Sequence, residues 1–112
     1  MIIYKIFRPQ EWQSLVDHDQ TQGAPIDVTD GYIHFSTSEQ VRETAAKHFA
    51  NAFDLILVAC DSDAMQPDLK WEPSRGGALF PHLYRQMQMN DVLWHKPLPQ
   101  GDAGHIFPDD MS

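Results

Sequence analysis

One uninterrupted run of apolar residues constrains the fold more than any other feature of this sequence. Residues 55–60 read Leu-Ile-Leu-Val-Ala-Cys, and no polar side chain interrupts them. Successive side chains of a strand point to opposite faces of its sheet, so other parts of the chain must cover both faces of this strand. The run therefore predicts a central strand, beginning near Asp54, that is buried on both sides.

The rest of the pattern mixes strands with two main helices and predicts an α+β fold. Pro9 suits the first turn of one helix, and Thr37 and Gln40 have the spacing of a capping box at the start of the other. Pro81 leaves Leu79–Met87 open between helix and strand. The predicted strands cover residues 2–7, 32–36, 54–60, 69–72 and 91–96, the helices cover 11–17 and 37–50, and residues 20–31 and 73–77 are a loop and a turn.

The length of 112 residues fits one domain that covers positions 1–112, with an irregular C-terminal segment at 97–112 that is rich in proline and glycine. The one cysteine, Cys60, lies inside the apolar run, where we expect a buried thiol. Because no intrachain disulfide can form and no segment has the length of a membrane span or a signal core, we expect a cytoplasmic protein without a membrane partner.

The charge of the chain limits its partners. The formal net charge is −8, and lysine and arginine are scattered along the sequence. Nucleic-acid binding uses a clustered basic surface, so we expect no direct nucleic-acid partner. A pocket could still hold a small anion on a few arginines and backbone amides. The oligomeric state cannot be read from the sequence.

The segment Asp30–Ser36 offers the most informative polar pattern. On a strand, Ile33 and Phe35 share one face, whereas a phenol, an imidazole and a hydroxyl share the other, namely those of Tyr32, His34 and Ser36. This face predicts a polar pocket wall centred on His34. The alternative is a half-exposed edge strand whose histidine bonds a backbone carbonyl, and the pattern alone leaves both open.

A second segment, Trp71–Gly77, combines an arginine with two glycines. The guanidinium of Arg75 can fork two hydrogen bonds to a carboxylate or phosphate, and Gly76 and Gly77 allow backbone amides to approach an anion. The alternative is a tight turn in which Arg75 pairs with Glu72 or a nearby aspartate.

A third segment, Phe80–Tyr84, alternates aromatic and apolar residues. If it is extended, Phe80, His82 and Tyr84 share a face that could stack on a planar ring, and His82 could act as an acid, a base or an orienting donor. Aromatic core packing is the alternative. We expect His48, on the apolar side of its helix, to be packed, and we expect no metal because no two ligands show metal-type spacing.

These three segments together resemble the bacterial domain-of-unknown-function family 952. The matching stretches are Asp-Gly-Tyr-Ile-His-Phe-Ser, Trp-Glu-Pro-Ser-Arg-Gly-Gly and Phe-Pro-His-Leu-Tyr, and the similarity extends from Ile3 to about Pro99. That family is distantly similar to the ADP-ribosyltransferase-like fold, which binds NAD in a cleft. The resemblance implies a mostly antiparallel, split sheet and a cleft in which His34 holds a ribose hydroxyl.

The resemblance also implies roles for the other segments. Tyr32 and Ser36 would flank the cleft, and Tyr84 would stack on a ring. Such enzymes often carry a late glutamate, and here the only glutamate after residue 43 is Glu72, which precedes Tyr84. Some relatives use a histidine, an arginine or an apolar residue in place of that glutamate, and His82 with Arg75 is compatible with this variant.

The sequence thus predicts a site for a small nucleotide-type or phosphate-bearing ligand around His34, with NAD as the implied cofactor and ADP-ribosyl transfer as the implied reaction. The predicted catalytic residues are His34, His82 and Glu72, and the predicted ligand-binding residues are Tyr32, Ser36, Arg75, Gly76, Gly77 and Tyr84. The alternatives are a non-enzymatic small-molecule or protein-binding module, and a metal-independent hydrolase or isomerase that uses His34 and His82 as acid and base.

Overall fold

The computed structural model describes residues 1–109 and 111, and Arg75 by its backbone alone. The α-helices are α1 (Pro9–His18), α2 (Pro25–Asp30) and α3 (Ser38–His48). The strands are β1 (Ile2–Phe7), β2 (Gln20–Thr21), β3 (Ile33–His34), β4 (Leu55–Asp61), β5 (Leu69–Pro73), β6 (Leu79–Leu83), β7 (Met87–Gln88), β8 (Val92–Leu98), β9 (Gln100–Gly101) and β10 (Gly104–His105). Short 3₁₀ turns lie at Ser62–Met65, Arg75–Gly77 and Met89–Asp91.

The long strands form two antiparallel sheets of three strands each. The first has the order β1-β4-β8, and the second has the order β3-β6-β5. A bridge joins them, because Tyr4 and Ser36 exchange backbone hydrogen bonds of 2.7 and 2.9 Å. The segment after β3 changes its pairing partner. The amide of Phe35 still donates to the carbonyl of Pro81 in β6, and the next residue, Ser36, pairs with β1. The antiparallel α+β fold expected from the sequence is confirmed.

The apolar run occupies the centre of the first sheet, as predicted, and it separates two hydrophobic cores. Val58 and Cys60 face one core, whereas Leu55, Leu57 and Ala59 face the other. The first core contains residues of α1 and of the second sheet, and the second core contains residues of α3 and the C-terminal segment. The thiol of Cys60 is buried, as expected, and burial raises its pKa.

The helix capped by Thr37 also forms where the sequence predicts it. The hydroxyl of Thr37 accepts from the amide of Gln40, and the side chain of Gln40 accepts from the amide of Thr37. The helix buries Val41 and Ala45, but the prediction that His48 is packed is wrong. The side chain of His48 is exposed, because the apolar stripe of α3 ends one turn before the helix does.

The predicted loop at residues 20–31 contains two regular elements that the sequence analysis missed. Gln20 and Thr21 pair with Gln88 and Met87, and a short helix, α2, follows. Pro25 stands at a first-turn position of α2, where its missing N–H costs nothing, and Gly31 ends the helix in the left-handed region at a φ of 86°. The turn signals that suggested a loop are the two ends of this helix.

Two other segments are more regular than expected. The first part of the ambiguous segment at residues 79–87 is extended, because Leu79–Leu83 pair with β5 as strand β6, and the chain then bends at Tyr84 and Arg85. The C-terminal segment is not irregular from residue 97, since β8 continues through Pro97 to Leu98 and β9 and β10 form a small antiparallel pair. Pro97 is tolerated because β8 is an edge strand, where one row of amides has no partner strand. None of the helices in the described part of the chain is long and apolar enough to cross a membrane.

Candidate functional site

A fully buried carboxylate, that of Asp27, organises the first part of the candidate site. It accepts four hydrogen bonds, from the ammonium of Lys5 at 2.8 Å, the amide of Ala24 at 2.7 Å, the amide of His34 at 3.0 Å and the Nδ1 atom of His34 at 2.6 Å. Burial by itself would raise the pKa of Asp27, but the hydrogen bonds from His34 and the charge of Lys5 outweigh it and lower the pKa to about 2. Asp27 is therefore an ionised, buried anchor.

Local sequence explains how Asp27 reaches this place. It stands at the third position of α2, where a carboxylate reaches back to the amide of the capping residue Ala24. Gly23 leaves room for it, since a Cβ atom at Gly23 would collide with the Asp27 carboxylate. Lys5 projects from β1 toward the same carboxylate and is itself 7% exposed. The pair thus ties α2 to the first sheet.

His34 lies between two carboxylates. Its Nδ1 atom faces Asp27, and its Nε2 atom lies 3.0 Å from the Oδ2 atom of Asp30. Carboxylate oxygens only accept, so the Nδ1 atom of His34 donates the hydrogen bond to Asp27, and the Nε2 atom lies within ion-pair distance of Asp30. The imidazole is held from both ends, and 31% of its side chain is exposed.

A second carboxylate–histidine cluster stands on the neighbouring strands. The carboxylate of Glu72 accepts from the Nδ1 atom of His82 at 2.8 Å and from the hydroxyl of Tyr84 at 2.6 Å. The hydrogen bonds from Tyr84 and His82 lower the pKa of Glu72, and the hydrogen bond to Glu72 raises the pKa of Tyr84 to about 12. The side chain of His82 is 3% exposed, whereas that of Glu72 is 34% exposed.

The two clusters meet because β3 and β6 pair with His34 directly opposite His82. The two imidazole centroids lie 5.4 Å apart with the rings nearly perpendicular. Tyr32 stacks on His82 at 4.1 Å and also contacts His34 at 4.7 Å and Tyr84 at 5.2 Å. The structure therefore brings five of the predicted site residues, including Glu72, into one continuous cluster of side chains.

A cavity of about 590 Å³ opens beside the two imidazoles. Residues of β1, β3 and β6, of the start of α2 and of α3 line it, so it lies where the two sheets separate. Its described walls carry five basic side chains and no carboxylate. The basic residues are Lys5, Arg8, His34, His48 and His82. The composition of this wall contrasts with that of the whole chain, which has a formal net charge of −8.

Hydroxyl and apolar groups complete the walls. The hydroxyl groups belong to Tyr4, Ser36, Thr44 and Ser74, and the larger apolar side chains are Ile6, Phe35, Phe49 and Phe80. Ser36 hydrogen-bonds Thr44 at 3.1 Å, so the hydroxyl of the predicted polar strand face contacts α3 rather than Tyr32. The cavity thus offers both polar groups and aromatic rings.

The remaining predicted residues lie apart from the cavity wall. Tyr32 and Glu72 contact His82, Tyr84 contacts Glu72 and Tyr32, and none of the three lines the cavity. Gly76 and Gly77 form a tight turn with φ angles of 66° and 82°, and neither lines the cavity. The side chain of Arg75 lies outside the part of the structure that is described.

Three residues that build the site are not among those that the sequence predicts. Asp27 fell in the predicted loop, and Lys5 and Arg8 fell in and beside the first strand without any motif around them. A Pro25-x-Asp27 spacing is a helix-start signal that could have found α2, but it does not predict that the carboxylate is buried. Among the described residues, no group of three histidine, cysteine or acidic side chains is arranged to hold a metal ion.

Comparison with known proteins places the chain among relatives of unassigned activity. The family model described as "Protein of unknown function (DUF952)" matches residues 6–95. A crystal structure of protein CC0527 from Caulobacter crescentus is similar with a TM-score of 0.90 and 41% identity, over 94% of this chain and 92% of that chain. A solution NMR structure of CC0527 has a TM-score of 0.83 and 41% identity, over 93% and 90% of the two chains. No curated protein matches the chain.

Proposed function

The chain belongs to the DUF952 family, and from its cavity we propose that it binds a small phosphate-bearing ligand of the nucleotide type. The observation that carries the proposal is the basic wall of the 590 Å³ cavity, which contrasts with the acidic chain around it. Arg8 is a cationic side chain of this wall, and a cation in a concave site attracts anions because the surrounding protein screens its charge poorly.

Arg8 and Lys5 contribute differently to this wall. The guanidinium of Arg8 packs over the ring of Phe49 at 4.6 Å and lies 3.9 Å from the carboxylate of Glu11, and its side chain is 41% exposed, so a phosphate would replace Glu11 as its partner. Lys5 is committed to Asp27, and its charge is largely neutralised. Arg8 is therefore the proposed phosphate ligand, since a guanidinium forks two hydrogen bonds to phosphate oxygens.

The size and the apolar part of the cavity fit the rest of a nucleotide. Pockets for small molecules measure about 300–1,000 Å³ and combine apolar walls with a few placed polar groups. The rings of Phe49 and Phe80 line the cavity and are of the kind that packs against a planar base, whereas Phe35 is buried in the core. The ligand class is thus an anion that also carries a flat apolar group.

A narrower form of the proposal takes NAD as the ligand and ADP-ribosyl transfer as the reaction. It rests on the resemblance of the family to the ADP-ribosyltransferase-like fold and on the position of His34 in the cavity wall. Because the Nε2 atom of His34 faces Asp30, a ribose hydroxyl would reach it only after Asp30 turned away. Asp30 is 35% exposed, so that movement exposes no buried charge.

A metal-independent hydrolase or isomerase is the second candidate, and the geometry of the two imidazoles favours it. Each ring is oriented through its Nδ1 atom by a carboxylate, Asp27 for His34 and Glu72 for His82. A carboxylate fixes the tautomer and orientation of the imidazole it holds, as in acid–base catalysis. Both rings line one cavity, and they could exchange protons with a bound substrate through their Nε2 atoms once Asp30 turned away from His34.

A ligand titration followed by NMR tests the proposal. AMP, ADP-ribose, NAD, nicotinamide and adenosine are added to millimolar concentration, and backbone amide shifts are mapped. We expect the phosphorylated compounds to shift amides around Lys5, Arg8 and His34, and adenosine to bind at least ten-fold more weakly because it lacks a phosphate. Release of nicotinamide from NAD would support the transferase form, and binding without release would leave the binding proposal alone.

A matched pair of arginine variants controls for overall charge. Arg8→Gln should weaken AMP binding about ten-fold, the worth of one charge-assisted hydrogen bond. Arg42→Gln removes the same charge from α3, where Arg42 packs over Phe107 away from the cavity, and should leave binding unchanged. Equal losses in the two variants, or the absence of any shift near the cavity, would refute the proposal and favour a protein-binding module.

A further inference from the structure

His82 carries an unused hydrogen-bonding atom. Its Nε2 atom is buried and has no hydrogen-bond partner among the described residues, and its side chain lines the cavity. A buried polar atom without a partner is costly, because it has lost its hydrogen bonds to water and gained none in return. Native proteins tolerate such atoms where a ligand completes the hydrogen bond.

His34 stands in contrast to its neighbour. Its two ring nitrogens face Asp27 and Asp30, so both already have partners within the protein. The sequence made His34 the centre of the site, but the hydrogen bonds make it a positioning residue that fixes α2 and β3. Of the two facing imidazoles, His82 is the one that has a nitrogen left for a ligand.

The protonation of His82 determines what the ligand must offer. Glu72 accepts from the Nδ1 atom of His82, so that nitrogen carries the proton, and the Nε2 atom of the neutral ring is an acceptor. The stack on Tyr32 and the backbone pairing of β6 with both neighbouring strands hold the ring in place. A group that meets this atom must therefore donate, as a hydroxyl does and a phosphate dianion does not.

We infer that the Nε2 atom of His82 accepts a hydrogen bond from a hydroxyl of the bound ligand, so that the cavity selects a phosphorylated sugar, such as the ribose phosphate of a nucleotide, over inorganic phosphate. This inference rests on the proposed phosphate-binding function and adds the residue that distinguishes one phosphate-bearing ligand from another. In this arrangement His82 accepts a hydrogen bond from the ligand hydroxyl, and Arg8 binds the phosphate.

Calorimetric titration with two nucleotides tests the hydroxyl. AMP and 2′,3′-dideoxy-AMP share the phosphate and the base and differ only in the ribose hydroxyls. Wild-type protein should bind AMP about ten-fold more tightly, because the dideoxy compound leaves the Nε2 atom of His82 buried and unpaired. Long-range ¹H–¹⁵N spectra should show the Nε2 resonance of His82 moving on addition of AMP and staying still on addition of dideoxy-AMP.

Two variants of His82 assign the effect to this atom. His82→Phe keeps an aromatic ring against Tyr32 but has no acceptor, and it should bind the two nucleotides equally. His82→Gln places an amide near the Nε2 position and should restore part of the preference. His95→Phe is the control, because His95 packs on Trp12 and does not line the cavity, and it should keep the ten-fold preference.

The outcomes separate this inference from the proposed function. If AMP does not bind, both are wrong. If AMP and dideoxy-AMP bind wild-type protein equally well, the phosphate proposal stands and the role of His82 is refuted. A preference for AMP that persists in His82→Phe would equally refute it, since the hydroxyl would then be recognised elsewhere.

Discussion

The two carboxylate–histidine clusters have the same chemical parts in different surroundings. In the first, Asp27 holds the Nδ1 atom of His34, and in the second, Glu72 holds the Nδ1 atom of His82. Asp27 is fully buried and paired with an ammonium, whereas Glu72 is one-third exposed and bonded to a phenol. In each cluster the imidazole has the opposite exposure, since His34 is 31% exposed and His82 is 3% exposed.

The burial of the carboxylate distinguishes the two clusters: the Asp27 cluster is structural, whereas the Glu72 cluster can respond to a ligand. A buried ion pair is costly to open, because each charge would be left without water and without a partner. The half-exposed Glu72 can be hydrated at little cost, so its cluster can adjust when a ligand arrives. We interpret the Asp27 cluster as the anchor of the site and the Glu72 cluster as the support of its recognition atom.

The largest expected effect concerns stability. Asp27→Asn leaves the buried ammonium of Lys5 without a counter-charge and should lower the free energy of unfolding by about 3–5 kcal/mol, as measured by urea denaturation. Adding Lys5→Met to this variant should recover part of the loss, because it removes the uncompensated charge. Glu72→Gln should destabilise far less, and an equal loss in the two single variants would contradict the comparison.

The pH dependence of stability should also distinguish Asp27 from Glu72, with a smaller change in the free energy of unfolding. The pKa of Asp27 is about 2 in the folded protein and 3.8 ordinarily, so the unfolded chain takes up its proton first as the pH falls. The stabilisation from this lowered pKa is complete above pH 4 and is lost as the pH falls through 2, and it amounts to ~2 kcal/mol. The wild-type protein should lose this much more stability than Asp27→Asn between pH 5 and pH 2.

Urea denaturation at each pH measures this loss. Glu72→Gln is the matched control: it lacks the contribution of the lowered pKa of Glu72 but keeps the Asp27 carboxylate, so it should lose stability more steeply than Asp27→Asn. Parallel curves for wild-type protein and Asp27→Asn would show that the buried carboxylate does not titrate as the structure requires.

The smallest expected effect is spectroscopic. The hydrogen bond to Glu72 raises the pKa of Tyr84 to about 12, so Glu72→Gln should return the ionisation of Tyr84 toward its ordinary value of 10. Tyrosinate absorbance during alkaline titration measures this change, with Tyr84→Phe identifying the signal. Burial, Asp30 and Glu72 raise the pKa of Tyr32, so Asp30→Asn should lower the pKa of Tyr32 and leave that of Tyr84 unchanged. A Tyr84 pKa that does not respond to Glu72→Gln would rule out the hydrogen bond.

Local patterns in the sequence predicted most of the main secondary-structure elements. The apolar run predicted β4, and the Thr37 and Gln40 pair predicted the start of α3, because each depends on residues close in the chain. Alternation placed Ile33 and Phe35 in the same core, where the structure has them. The same local signals failed for α2, since the glycine and proline at the ends of a short helix also mark the turns of a loop.

The candidate site was visible only in parts. The sequence pointed to His34, His82 and Glu72 separately, but nothing in it placed His34 opposite His82, because that depends on the register of β3 on β6. Asp27 escaped notice since an acidic residue in the first turn of a helix is common and its burial depends on a lysine from β1. Strand alternation gave His34 the leading role and the resemblance gave it a ribose hydroxyl to hold, but the buried nitrogen without a partner belongs to His82.

The sequence by itself determined which segments alternate, which run is buried on both faces and where the longest helix is capped. These properties follow from side chains within a few residues of one another, whose spacing is fixed by backbone geometry. Only the tertiary structure decided which carboxylate is buried, which imidazole nitrogen has no partner and where the basic cavity opens. The burial and the charge partners of a side chain depend on segments far apart in the chain, so they are decided only when the strands have paired.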